Sequence, residues 1–300
     1  MRIKIECPTY FFEHNLCGHA IDNEDPEIMI SDPGSSYKYN ESYLSKFSNL
    51  KILATPSTGV THIDLDYCRR MQIPVLNLLS NRKLLNEISA SAEFTWLHIL
   101  NAVRRFSESI EEVKTGNWRN KENDLRGREM RYLSLGIVGF GRIGGKISSF
   151  ASAFGMEKVF YYDPYVESNK CTRVLRLEQI FGCDIILISP YLTDETKNMI
   201  SSDLIKICRR GSIIVNTSRG EVVDEDAICD AVELGQIYYC ADVVKDEQNM
   251  NRFFQSRLYR LLMEGKVCIT PHIAGATVES QQKAFDAIML IIQSHLGRER

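Results

Sequence analysis

The stretch Leu133-Ser-Leu-Gly-Ile-Val-Gly139-Phe-Gly141-Arg-Ile-Gly144 decides how the rest of the chain is read. Its first half is a short, nearly continuous apolar run, the pattern of a strand covered on both faces. Its second half places glycines in a G-x-G-x-x-G spacing and opens an amphipathic segment, so a strand, a tight turn and a helix follow one another. Gly139 permits the turn, Gly141 lets the main chain approach a ligand, and Gly144 lets the helix pack closely on the strand.

Working outward, the same alternation of β-branched runs and amphipathic stretches recurs through the second half, which predicts a parallel α/β sheet with crossover helices. Candidate strands are Leu133–Val138, Val159–Tyr162, Asp184–Ser189, Ser212–Asn216, Tyr238–Val243 and Val267–Thr270. Six strands fit a complete doubly wound sheet. The first hundred residues read as a smaller α/β unit with strands at Ile3–Cys7, Ile28–Ser31, Lys51–Ala54 and Val75–Leu78, and with a shortened first crossover between Pro8 and Pro26. Ile88, Ala92, Thr95, Ile99, Val103, Phe106 and Ile110 recur every three or four residues and predict one long connecting helix. Ala284, Ile288, Ile291 and Ile292 predict a second helix from Glu279 to Leu296 that returns to the first unit, while Thr115–Arg128 reads as an exposed polar loop.

Composition excludes several classes of function. Lys and Arg total 36 against 39 Asp and Glu, so no overall basic field draws the chain to nucleic acid or anionic lipid. Nine cysteines lie far apart with no C-x-x-C pair, so they are expected to be reduced, buried thiols of a cytoplasmic protein, and no metal site is expected. The N-terminus carries no signal-like apolar core, and no apolar run reaches membrane-spanning length.

The glycine loop has a ligand logic. A helix N-terminus offers N–H groups and a positive dipole end to a pyrophosphate. Asp163 ends the next strand, where a carboxylate can accept hydrogen bonds from an adenosine ribose. No Arg or Lys stands between Asp163 and Lys170, which favours NAD over its 2'-phosphorylated form. Three further segments leave the ligand edge of the sheet: Asn216-Thr-Ser-Arg219-Gly220, Ala241-Asp242-Val-Val-Lys-Asp-Glu247 and Thr270-Pro-His272-Ile-Ala-Gly-Ala-Thr277. An Arg clamps a carboxylate, a His moves protons near neutrality, and a carboxylate beside the His holds its ring.

With these residues the chain resembles the D-isomer-specific 2-hydroxyacid dehydrogenase family. The resemblance also covers Ser57-Thr-Gly-Val-Thr-His-Ile-Asp64, Ile73-Pro-Val-Leu-Asn77, Ala92-Glu-Phe-Thr-Trp96, Leu125-Arg-Gly-Arg-Glu129 and Ser189-Pro-Tyr-Leu-Thr193. It implies two α/β domains: a doubly wound (Rossmann) NAD-binding domain over residues 94–275, inserted in a smaller flavodoxin-like substrate domain over 1–93 and 276–300. It implies an NAD-dependent oxidoreductase that interconverts a 2-oxoacid and a D-2-hydroxyacid in an interdomain cleft. Arg219 then binds the substrate carboxylate and polarises its carbonyl, His272 is the acid/base, and Glu247 pairs with His272. Cofactor contacts fall on Gly139, Gly141, Arg142, Ile143, Gly144, Asp163, Pro190, Thr217 and Asp242, and main-chain N–H groups of Thr58, Gly59 and Val60 help to hold the substrate. Relatives carry an aromatic and an acidic residue before the glutamate and a proline after it, so Asp-Val-Val-Lys-Asp-Glu-Gln leaves Asp246 as an alternative partner for His272.

A rival reading is an NAD-responsive, corepressor-like binding protein without turnover; a Rossmann-type methyltransferase explains the glycine loop but not the Arg, Glu and His segments. A cytoplasmic homodimer is expected, with Thr115–Arg128 contributing to its interface. His14, His19, His62, His98 and His295 have no partner motif and read as structural or surface residues.

Overall fold

The computed structural model describes residues 1–8 and 16–298. They divide into two compact units, one formed by Met1–Ser89 and Ala276–Arg300 and the other by Ala90–Gly275.

The first unit is a five-stranded parallel sheet of β1 (Arg2–Ile5), β2 (Ala20–Ile21), β3 (Ile28–Ile30), β4 (Ile52–Ala54) and β5 (Val75–Leu76), in the order β2-β1-β3-β4-β5. This is the doubly wound order of flavodoxin-type sheets. Both faces are covered: Ile28, Ile30, Ile52 and Ala54 pack with Ala284, Phe285 and Ile288 of the helix Val278–Arg298, while Met29 and Leu53 face Tyr39, Leu44 and Tyr67. Apolar residues on both faces explain why these strands read as unbroken runs. The two-residue β2 escaped the sequence reading because it is too short to carry a period. The expected first crossover falls partly on residues 9–15, which with His14 lie outside the described residues.

The second unit is a seven-stranded parallel sheet of β6 (Ser134–Val138), β7 (Lys158–Tyr162), β8 (Thr172–Arg173), β9 (Ile185–Ile188), β10 (Ser212–Asn216), β11 (Ile237–Ala241) and β12 (Val267–Ile269), ordered β12-β11-β10-β9-β6-β7-β8. Counted within the unit this is 3-2-1-4-5-6-7, with the winding direction reversing between β6 and β9. Six strands were expected and seven are present. The missed one, β8, is two polar residues held at the sheet edge by pairing Phe160 with Thr172 and Tyr161 with Arg173. Alternate residues again enter opposite cores: Ile186, Ile188, Ile214 and Tyr239 on one side, Leu135, Ile137, Leu187 and Val215 on the other.

The long connecting helix is two helices, Ala90–Arg104 and Phe106–Lys114, separated by Arg105 at φ 51°. Asn101 Oδ1 accepts the Ser107 N–H and hydroxyl at 2.9 Å, which stabilises the start of the second helix. The stripe is buried from Ala92 to Val103, but Phe106 and Ile110 past the break are exposed. Thr115–Arg128 likewise departs from the loop expectation, since it contains helical turns at Arg119–Lys121 and Glu122–Leu125.

Candidate functional site at the carboxyl edge of the larger sheet

At the reversal point, the loops after β6 and β9 meet main chain to main chain. A Cβ at Gly139 (φ 85°) would sit 2.8 Å from Pro190 N, and one at Gly144 would sit 2.4 Å from Gly139 O. Both positions therefore require glycine for space, and Ser189 Oγ closes the contact by donating to Gly139 O at 2.7 Å. Gly141 is different: a Cβ there would meet nothing within 4 Å, so the loop is open on that side. It is also the N-cap of the helix Arg142–Ala153 and, as a glycine, has no side chain to cap that end. Arg142 and Ile143 follow in its first turn, where burial draws the Arg142 guanidinium below its ordinary value.

Asp163 fixes this loop from the side. Its Oδ2 accepts Phe140 N–H at 2.7 Å, while Oδ1 accepts Tyr165 and Val166 N–H at 2.8 and 2.9 Å. The carboxylate thus shapes the glycine loop and its own turn as well as standing where a ribose is expected. A cation is present nearby that the Asp163–Lys170 window did not contain. Arg173 on β8 donates through Nη2 to the carbonyls of Asp163 and Pro164, and through Nη1 to Glu167. An open glycine turn, a helix N-terminus with a glycine as its N-cap and a carboxylate at the end of β7 fit a dinucleotide without a 2'-phosphate.

Farther along the same edge, β10, β11 and β12 lie side by side and end in the three remaining segments. After β10, Asn216 accepts Ser218 N–H through Oδ1 and donates through Nδ2 to Arg219 O, which shapes the turn. Gly220 lies so close to the next loop that a Cβ would be 2.1 Å from Val244 C and 2.2 Å from Lys245 N. The Arg219 guanidinium donates to Ser218 O at 2.6 Å and makes no ion pair among the described residues. Thr217 turns inward, its hydroxyl 2.7 Å from Thr95 Oγ1, so only its main chain faces the edge.

His272 Nδ1 lies 2.6 Å from Glu247 Oε2. Glu247 Oε1 accepts Val244 N–H at 3.1 Å, so both carboxylate oxygens are fixed. Asp246 pairs instead with Arg252, which decides the geometric alternative in favour of Glu247. Behind His272, which sits at φ 53°, Asp242 is almost wholly buried. Its carboxylate accepts Thr270 Oγ1–H at 2.5 Å, Ile273 N–H at 3.0 Å and Ala274 N–H at 2.7 Å. Asp242 therefore clamps the His272 loop, a function the sequence did not reveal because all its donors arrive from another strand.

In the other unit, Thr58, Gly59 and Val60 follow β4, and Ser57 Oγ donates to Gly59 O at 2.6 Å. Their N–H groups find no acceptor among the described residues. His98, expected to be structural, is buried and contacts Thr270 Oγ1 at 3.0 Å. Two cysteines far apart in sequence meet in the fold, since β11 and β12 set Cys240 directly opposite Cys268.

Comparison with known proteins agrees with this geometry. A family model described as D-isomer specific 2-hydroxyacid dehydrogenase, NAD binding domain, matches residues 96–274. The chain is 30% identical to a hydroxypyruvate reductase of Thermotoga maritima over 91% of its own length and 86% of that protein. It is 32% identical to a glyoxylate reductase of Aeropyrum pernix, over 79% and 71% of the two chains. Among solved structures, the D-lactate dehydrogenase of Aquifex aeolicus with NAD and lactic acid superposes with a TM-score of 0.81 at 26% identity, covering 99% of this chain and 96% of that one. The glycine turn at the reversal point, the match across residues 96–274 and relatives similar over most of their length give one answer: this chain belongs to the D-isomer specific 2-hydroxyacid dehydrogenase family and carries its NAD-binding domain.

Proposed function

We propose that the protein is an NAD-dependent oxidoreductase that interconverts a small 2-oxoacid and the corresponding D-2-hydroxyacid. The observation that carries this reading is the 2.6 Å contact of His272 with Glu247, on the same sheet edge as an Arg219 guanidinium that has no carboxylate partner among the described residues. NAD, when bound, supplies or removes the hydride. Glu247 holds Nδ1 of His272, which leaves Nε2 to give a proton to the substrate oxygen in reduction and to take it in oxidation. Arg219 binds the substrate carboxylate and stabilises negative charge growing on the carbonyl oxygen, a contribution of about 3 kcal/mol for one well-placed donor. Asp242 acts by holding the His272 loop, and the main chain of Thr58, Gly59 and Val60 offers N–H donors for a carboxylate.

We assign nucleotide binding to Ala90–Gly275 and substrate recognition to the unit of Met1–Ser89 with Ala276–Arg300. We further propose a cytoplasmic homodimer. Nine free thiols suit a reducing compartment, and Val113 and Trp118, 51% and 72% exposed, offer apolar area for a partner copy. No described helix is long and apolar enough to cross a membrane. Relatives named as reductases and dehydrogenases favour turnover over the corepressor-like alternative.

The test is a panel of small 2-oxoacids, including glyoxylate, hydroxypyruvate and pyruvate, followed by NADH absorbance, with chiral analysis of the products of hydroxypyruvate and pyruvate. Turnover with formation of the D-isomer supports the proposal. NADH binding without turnover across the panel, or an L-product, overturns it.

A further inference from the structure

Three donor-bearing side chains outside this machinery meet inside the larger sheet. Cys240 and Cys268 are register partners on the parallel neighbours β11 and β12, and His98 reaches them from the helix Ala90–Arg104. One ring nitrogen of His98 and the two Sγ atoms all lie within 4.8 Å of one another, and Nδ1 is 3.9 Å from Cys268 Sγ. Cys240 is fully buried and His98 is 3% exposed.

The hydrogen bonds around them fix the chemistry. Thr270 Oγ1 donates to Asp242 Oδ1 at 2.5 Å, so toward His98 Nε2, 3.0 Å away, it acts as acceptor. The ring proton therefore sits on Nε2, and Nδ1 turns its lone pair to the sulfurs. A ligating imidazole is commonly oriented in this way, by a hydrogen bond from its other ring nitrogen. Asn101 Nδ2 donates to Cys268 Sγ at 3.4 Å, a contact that favours a thiolate.

We propose that His98, Cys240 and Cys268 bind one thiophilic divalent cation of the Zn2+ class through Nδ1 and two thiolates. Metal–sulfur and metal–nitrogen bonds of about 2.3 and 2.0 Å place donors on one ion roughly 3.5–3.8 Å apart. The 3.9 Å pair lies within about 0.4 Å of that spacing, and a separation of up to 4.8 Å closes with a swing of about 1 Å of a cysteine side chain. Two thiolates neutralise a divalent ion, as a buried site requires, and binding releases the two thiol protons. A disulfide between the sulfurs accounts for neither the His98 tautomer nor the Asn101 contact. Through Thr270 and Asp242 the site lies one hydrogen-bonded chain behind the His272 loop.

The full-length protein, reduced and stripped with chelator, is titrated with Co2+ as a spectroscopic probe and then with Zn2+. The expected result is one Co2+ per chain with a thiolate-to-metal charge-transfer band, displaced by Zn2+. Cys240→Ser and Cys268→Ser should each weaken binding by about 100-fold or more, and His98→Ala by about tenfold or more. X-ray absorption of the Zn2+-loaded wild type needs no variant and should give two sulfurs and one nitrogen in the first shell. Absence of the band in wild type, a shell of oxygen and nitrogen alone, or equal binding by the folded double cysteine variant overturns the proposal.

Discussion

The loops Gly139–Gly144 and Thr270–Gly275 leave the same edge of one sheet, yet their shapes have different physical origins. The first is shaped mainly by what is missing: side chains at Gly139 and Gly144 would collide with main chain, so the turn collapses onto Pro190 and onto its own helix. The second is shaped by a buried charge, since three donors converge on Asp242 and hold His272 in a left-handed conformation. A sterically shaped loop announces itself in consecutive letters. A loop shaped by a distant carboxylate does not.

Replacing the clamp should have the largest effect on stability. Asp242→Asn leaves one oxygen for three donors and turns an amide N–H toward main-chain N–H groups, for an expected loss of about 4 kcal/mol. Urea unfolding measures it; a loss under about 1 kcal/mol would mean that the His272 loop is held by something else.

Glu225 supports the neighbouring loop by accepting Lys245 N–H at 2.6 Å, and burial raises its carboxyl from 4.5 to about 7. Because the folded value lies above the unfolded one, its contribution is fully present below pH 4.5 and is lost as pH rises through about 7. The difference amounts to at most about 3 kcal/mol. Glu225→Gln keeps an acceptor for Lys245 and removes this slope, so its advantage over wild type should grow between pH 5 and pH 8 in parallel unfolding curves. Parallel pH profiles would separate Glu225 from the loop's support.

Gly144→Ala probes the steric loop. The added methyl must push Gly139 O away, at a cost of about 2 kcal/mol, with NADH affinity falling alongside stability. Unchanged NADH binding by fluorescence titration would mean that the loop tolerates displacement and that the contrast between the two loops is overstated.

The same contrast explains what could be read from the letters alone. Ser134–Val138 and Ile185–Ile188 are covered on both faces, so each is a visible apolar run, whereas Thr172–Arg173 is a strand only because β7 lies beside it. The helix break at Arg105 was invisible because Phe106 and Ile110 continue the apolar period in solvent. Arg219, Glu247 and His272 could be nominated because each follows a strand end. Their scaffolding could not, because the Asp242 clamp, the Gly220 contact with Val244 and the Cys240–Cys268 pairing arise from register between strands far apart in sequence.

His272 carries the central chemical assignment. Its side chain is 45% exposed, so His272→Ala should leave unfolding and NADH binding nearly unchanged, within about 0.5 kcal/mol. Single-turnover oxidation of bound NADH by the best 2-oxoacid of the panel should then fall by about 10²–10⁴-fold relative to wild type. Equal rates for the variant and the wild type, with both folded and both loaded with NADH, would contradict the assignment of proton transfer to this edge of the sheet.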